Sequence, residues 1–433
     1  MLLVVVDTLR PDRLGVYGHD RDTSPRLDRR AAEGAVFEHA FSTSSWTLPA
    51  IGSILTGQLP PAHGARSLGA ALAAVENPEE VIVRGAKTFS RLRGTVPTLA
   101  EKLGARGYAT AAVTSNPFLD PRFGLDRGFS SYDQKPRRRA SAVTDRALAW
   151  LQENPTEPFF LLVHYMDPHL PYAPPAESRG VFTTEVDGSE LDYTTGGVQS
   201  VRRALPDLSP AARAFLSAAY DEEILFVDRE LERLFAGVEE LDRWRDTLVV
   251  FTSDHGEELF EHGGFEHGHS LHDPVLRVPL VIWGPGVAAG RYDPPVSLTD
   301  VAPTVLAWTG GETDAIAMTG VSLRPLLQDG GAVPSRTLFA QDLLYGSDRL
   351  AAIEWPYKAI VSPEDGILQL FDLGRDPMES NDLGASTPAA TGRLVARARA
   401  AAEMLAGPLT DPVGRGELDD GTLEELRALG YVE

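Results

Sequence analysis

An α/β fold with a mostly parallel central sheet flanked by helices is predicted by three short runs and by what separates them. LLVVV (2–6), FFLLVHYMD (159–167) and LVVFTS (248–253) are apolar and rich in β-branched or aromatic residues. Runs of that kind are strands buried on both faces. Segments with helical spacing lie between them, and alternating strand and helix builds a parallel sheet. The strands also run out into Asp7, His169 and the pair Asp254-His255, at the carboxyl edge where open α/β sheets bind ligands.

Composition sets the limits. The 433 residues suit one large α/β domain with an appendage. A net charge of −22 argues against nucleic acid or an anionic membrane as partner. A small anionic ester is a different matter, provided its pocket is made positive locally. The chain has no cysteine, so disulfides, thiolate metal sites and a cysteine nucleophile are excluded. No apolar run reaches the length of a membrane span. MLLVVV enters a strand at once without a signal-peptide pattern, so the expected location is cytoplasmic, or periplasmic or extracellular if the true start lies upstream.

In chain order, 24–37 has helical spacing with Ser24 as N-cap, Pro25 at the first helical position and Gly34 at the close. In FSTSSWTLPAIGSILTG (41–57), Pro49 marks the first turn of a helix whose apolar face is Ile51, Ile54 and Leu55. Thr47 stands at its positive end, either as an N-cap or as a hydroxyl nucleophile. VPTLAEKLGARG (96–107) is an amphipathic helix feeding the strand YATAAVTS (108–115). Asn116 follows, either turn former or donor to a substrate oxygen. The basic run Lys135, Arg137, Arg138, Arg139 reads as a solvated face. Residues 173–212 lack periodicity and read as a lid-like insertion. A long amphipathic helix (211–238) follows, its Asp221, Glu222, Glu223 and Asp228 expected on the wet side.

TSDHGEELFEHGGFEHGHSLH (252–272) holds five of the ten histidines, with Asp254 and Glu257 among them. Carboxylate and imidazole together suit a divalent cation that accepts oxygen and nitrogen, Mn²⁺ or Zn²⁺ ahead of Ca²⁺ or Mg²⁺. Beyond about 336 the texture changes to short strands and turns, TLFAQDL, LAAIEWPYKAIVS and GILQLFDL, then an alanine- and arginine-rich helix (388–406). A small antiparallel sheet with a covering helix is expected there.

These motifs together resemble the sulfatase family of the alkaline phosphatase superfamily. The matching pieces are VVVDTLRPDRLGVYG (4–18), SPRLDRRAAEGAVFEHAF (24–41), TLPAIGSILTG (47–57), HYMDPHLPY (164–172), SDHGEELFEHGGFEHGH (253–269), LRVPLVIWGPG (276–286) and LFDLGRDPMESNDL (370–383), in the family's order. The resemblance implies an alkaline-phosphatase-like catalytic domain over 1–335, a C-terminal α+β subdomain over 336–406 and a tail (407–433) with a short helix. It implies Asp7, Asp254, His255 and the Thr47 oxygen as metal ligands, and His169 at the substrate or leaving group. Asp167 orients His169 or reaches a second metal. His269 and Asn116 are further substrate contacts, and His63 is structural.

The chain also departs from the family. Thr47 and Ile51 replace the Cys or Ser and the Arg of the formylglycine motif C/S-x-P-x-R. The usual Asp-Asp after the first strand is Asp7-Thr8. Asp254-His255 is the pair of the phosphodiesterase and phosphonate-ester-hydrolase branches, and His267 stands where those often have a lysine. The expectation is therefore a metal-dependent hydrolase of sulfate or phosphate esters, favouring phosphodiester or phosphonate ester cleavage through Thr47. The rivals are a sulfatase working without formylglycine, a phospho-group transferase and a non-catalytic pseudoenzyme.

Overall fold

The computed structural model describes residues 1–67, 89–154, 158–184, 207–311, 318–362, 366–384 and 389–405, with isolated positions in 186–191 and 412–426. Its central sheet uses β1 (Leu2–Val6), β2 (Ala35–Phe37), β3 (Ala109–Thr114), β4 (Ser131–Gln134), β5 (Phe159–Tyr165), β6 (Val249–Ser253), β7 (Leu280–Trp283) and β8 (Gly290–Tyr292). The spatial order is β8-β2-β7-β6-β1-β5-β3-β4. All pairs are parallel except those made by β7 with β6 and with β2.

Strand β1 shows why the chain folds this way. Its side chains alternate: Leu3 and Val5 enter the core on one face, Leu2, Val4 and Val6 the core on the other. The first face is covered by the helix Thr47–Thr56, through Leu48, Ile51, Ile54 and Leu55. The second is covered by Ala140–Glu153 and the long helix Pro210–Glu240. A sheet buried on both faces needs continuous apolar strands, as these three are.

The register sets the functional edge. Val6 lies opposite Tyr165 on one side and Ser253 on the other, so β1, β5 and β6 end level. Asp7 and Asp254 therefore leave the sheet side by side. Gly256 follows, and a Cβ there would stand 2.1 Å from the Pro274 carbonyl oxygen. Only glycine permits that approach, which holds the Asp254-His255 turn against the next segment.

Two expectations about polar groups are corrected. Ser24 does not cap the helix Pro25–Ala31; its hydroxyl donates to Asp28 at 3.0 Å. The first turn is capped from a distance, by Asp228 accepting the Arg26 and Leu27 N–H groups at 3.1 and 2.8 Å. The acidic groups of the long helix are not on a wet face either. Asp221, Glu222, Glu223 and Asp228 are all buried. Asp221 takes Arg21 at 2.7 Å, Glu223 takes Arg139 at 3.2 Å, and Glu222 accepts Phe182 and Thr183 N–H groups at 2.8 Å. Buried carboxylates persist because arginines and backbone donors satisfy them.

Those last contacts, with Ala173 N–H on Glu223 at 2.8 Å, fasten residues 173–183 to the long helix. Most of the remaining lid expectation, 192–206, falls outside the described residues, as does most of the expected tail helix. No helix among the described residues is long and apolar enough to cross a membrane.

The C-terminal sheet has four antiparallel strands, Leu338–Gln341, Leu350–Glu354, Tyr357–Ser362 and Ile367–Asp372, with the helix Ala389–Leu405 against it. Lys358 bolts this sheet to the large domain. It is fully buried, with its ammonium 2.8 Å from Asp273 and 2.7 Å from Glu379. Lys358→Met would leave those carboxyls without their cation, so a stability loss of about 3–5 kcal/mol is expected in denaturant titration. A loss below about 1 kcal/mol would mean the triad contributes nothing net.

Candidate active site

Asp7, Asp254 and His255 converge at the level edge of the sheet, all buried, with one ligand atom from each inside a 4.8 Å cluster. His255 Nδ1 bonds to the Gly256 carbonyl at 2.9 Å, so it carries the proton and Nε2 presents a lone pair. That nitrogen lies 3.4 Å from Asp7 Oδ1 and 3.5 Å from Asp254 Oδ2. Both oxygens are buried and have no hydrogen-bond partner among the described residues. The second Asp7 oxygen accepts from Asn116 Nδ2 at 2.6 Å, and the second Asp254 oxygen from the His255 N–H at 3.0 Å. Two carboxylate oxygens without a hydrogen-bond partner and an imidazole lone pair facing one another are repulsive without a cation and complete with one, so these residues fit a divalent metal.

The electrostatics agree. Burial and the charge of Asp254 push the Asp7 carboxyl well above its usual range. Burial also opposes ionisation of Asp254, but His255 and His164 beside it hold its carboxyl low. Two carboxylates this close ionise together only beside positive charge.

Thr47 is the first residue of its helix rather than the cap. Trp46 occupies the cap position without a side-chain bond. The Thr47 hydroxyl is spent on the site instead: Oγ1 accepts from Asn116 Nδ2 at 3.1 Å and stands 3.4 Å from His255 Nε2. Ile51, one turn on, is buried in the core on the sheet's first face, so no guanidinium occupies that position.

The remaining histidines divide. His169 and His267 meet edge to face at 4.9 Å between ring centroids, and His267 lies 4.6 Å from His255. His267 is aimed by Glu257, whose Oε1 is 2.8 Å from Nδ1 and whose Oε2 accepts from the Tyr172 hydroxyl at 3.1 Å. Burial pushes Glu257 up to about 7. Any proton His267 exchanges with a substrate passes through Nε2. His169 Nδ1 is 2.6 Å from the Leu170 carbonyl, and burial together with His267 holds the ring well below its ordinary pKa. Both effects favour the neutral ring.

His269 and Asp167 point elsewhere. His269 pairs with Glu258 at 3.0 Å. Asp167 accepts from Arg139 at 2.6 Å and from the Ala140 N–H at 2.8 Å, so it caps a helix and does not bond to His169. His63 is packed against Ser53 and the Pro49 carbonyl of the helix Thr47–Thr56, at 3.2 and 3.1 Å.

The sulfatase family profile matches residues 1–311. The chain belongs to the sulfatase family. It is 28% identical over 407 residues to the multifunctional alkaline phosphatase superfamily protein PehA of Trinickia caryophylli, covering 78% of each chain. It is 22% identical over 459 residues to an arylsulfatase of Clostridium perfringens, covering 88% of this chain and 89% of that one. The solved phosphonate monoester hydrolase of Agrobacterium radiobacter shares the fold with a TM-score of 0.72 at 20% identity, covering 96% of this chain and 99% of that one. This sulfatase-family protein is accordingly a hydrolase acting on ester bonds, and members of the family use a divalent metal ion.

Three residues of the site had no role assigned from the sequence. His164 is fully buried, with Nε2 3.9 Å from both Asp7 and Asp254. Its signal was a polar side chain at a core position of an otherwise apolar strand. Glu257 stood in the histidine-rich stretch but acquires meaning only through its contact with His267. Asp342, from the C-terminal sheet, accepts Trp46 Nε1 and Ser44 Oγ on its backbone carbonyl at 2.7 and 3.0 Å. It steadies the entry to the helix Thr47–Thr56, and no local pattern announces it.

Proposed function

We propose that this hydrolase cleaves phosphodiesters or phosphonate monoesters through a covalent ester on Thr47. The observation that carries this reading is the placement of the Thr47 hydroxyl between Asn116 Nδ2 and His255 Nε2, with Ile51 where an arginine would serve formylglycine. Asp7, Asp254 and His255 would hold the metal, with Thr47 Oγ1 beside them. When bound, a divalent cation there supplies Lewis-acid charge for the transferred group and favours the ionised hydroxyl.

In the first step Thr47 Oγ1, having given up its proton to solvent on ionising, bonds to phosphorus while the bond from phosphorus to the leaving oxygen breaks. That oxygen takes its proton from His267 Nε2, with Glu257 stabilising the ring's charge. In the second step water attacks phosphorus and gives a proton to a neutral histidine, and the bond from phosphorus to Thr47 Oγ1 breaks, that oxygen regaining its proton from solvent. His169, held neutral by burial, suits that base role. Asn116 holds the nucleophile and Asp7 in one geometry.

Formylglycine expels sulfate by re-forming its carbonyl, an exit a threonine ester lacks. The second attack must therefore occur at the central atom, which favours phosphorus over sulfur. Purified protein assayed with added metals should turn over an aryl phosphodiester or phosphonate monoester at least about tenfold faster than the matching aryl sulfate, a difference of about 1.4 kcal/mol in barrier. Efficient aryl sulfate hydrolysis with no phosphoester turnover would overturn the proposal.

A further inference from the structure

Strand β5 carries one imidazole inside its apolar run. Phe160 and Leu162 enter the core on the face covered by the helix Thr47–Thr56, and side chains two apart along a strand share a face. His164 therefore lies on the same face as the helix that carries Thr47. It is fully buried, and the register sets it beside Val5, two residues before Asp7. Its carbonyl accepts the Ser115 hydroxyl at 3.1 Å, next to Asn116.

Neither ring nitrogen is engaged. Nδ1 and Nε2 are both buried and have no hydrogen-bond partner among the described residues. A neutral imidazole carries one N–H and one lone pair, and burying both unmet is unfavourable. An apolar residue would fill the position without that penalty. Nε2 lies 3.9 Å from Asp7 Oδ2 and 3.9 Å from Asp254 Oδ2. Those distances are too long for hydrogen bonds. They match the span of donors that share one ion: with bonds of about 2.1 Å, donors stand about 3.4 Å apart at the tetrahedral angle and about 4.2 Å apart when opposite. The spacings of His255 Nε2 from Asp7 and Asp254, 3.4 and 3.5 Å, fall in the same range. The chain is also one carboxylate short of the usual sulfatase pair, because Thr8 follows Asp7. Thr8 offers only a neutral hydroxyl there, itself buried without a partner.

We propose that His164 is a further metal-binding residue, a second imidazole donor beside Asp7, Asp254 and His255. It is set back from the cluster those three form, so it moves toward them to share an ion. The inference rests on the reading of those three as the metal's ligands. Two nitrogens in the donor set favour a borderline transition ion over Ca²⁺ or Mg²⁺, which prefer oxygen. His164 is then the residue that sets the metal preference of the site.

The test counts nitrogens and does not depend on turnover. The chelator-stripped full chain is loaded with substoichiometric Cu²⁺, the tightest binder of the first-row divalent ions. Pulsed electron paramagnetic resonance then reports the imidazoles bound to it. Two are expected in the wild type, and one in His164→Leu, whose side chain suits an apolar strand. In competition with a chromophoric chelator, the variant should bind Zn²⁺ about tenfold to a hundredfold more weakly, while its Ca²⁺ affinity hardly changes. A histidine with a purely structural role would weaken both ions alike. One imidazole in the wild type overturns the inference, whether or not the variant folds, and so does a count of two that survives His164→Leu. If the single imidazole is the one lost in His255→Ala, the other three ligands stand and only His164 falls. A count that His255→Ala leaves unchanged overturns their assignment and this inference with it.

Discussion

Thr47→Ala is expected to lower turnover of the preferred ester by about a thousandfold or more, the scale on which loss of a covalent nucleophile is felt. Thr47→Ser should retain a measurable fraction, since it keeps the oxygen beside Asn116 and His255. Stability should hardly change, which makes the result readable. Trp46, not Thr47, occupies the cap position, so no cap is lost. Asn116 keeps its bond to Asp7 when the threonine oxygen goes. The expected cost is about 1 kcal/mol, that of one buried hydrogen bond. Rapid quench of the wild type should trap a phosphoryl or phosphonyl adduct, placed on Thr47 by peptide mass spectrometry. Full activity in Thr47→Ala would remove the threonine from the mechanism.

Asp254→Ala should empty the metal site and abolish activity with it. The wild type is expected to carry at least one divalent ion, Mn²⁺ or Zn²⁺ ahead of Ca²⁺ or Mg²⁺, because an imidazole sits among the oxygen donors. In the variant, Asp7 and His255 remain but one converging lone pair is gone. Elemental analysis after gel filtration reads occupancy directly. Thermal unfolding gives an independent measure. Metal at a hundredfold excess over its Kd should stabilise the chelator-stripped wild type by about 2.7 kcal/mol, and the variant by almost nothing. Full occupancy in Asp254→Ala would sink the ligand assignment.

The local parts of this site were legible in the chain. LLVVV, FFLLVHYMD and LVVFTS form strands because nearly every position is apolar or β-branched, and each hands over to polar residues at the carboxyl edge of the sheet. The threonine ahead of Pro49 also announces itself within a few residues. Whatever depended on a distant partner did not. Asp228 caps a helix 202 positions away, and the acidic face of the long helix looked solvated because its arginines lie some 200 positions upstream. Arg137 and Arg139 are exposed, as the basic run was read, but the pairing of Arg139 with Asp167 and Glu223 depends on the sheet order that sets β5 between β1 and β3. Hydrophobic periodicity is a property of neighbours along the chain, and it determines which segments are strands and where they end. Charge pairing and the convergence of lone pairs are properties of neighbours in space, so they were decided by register and topology.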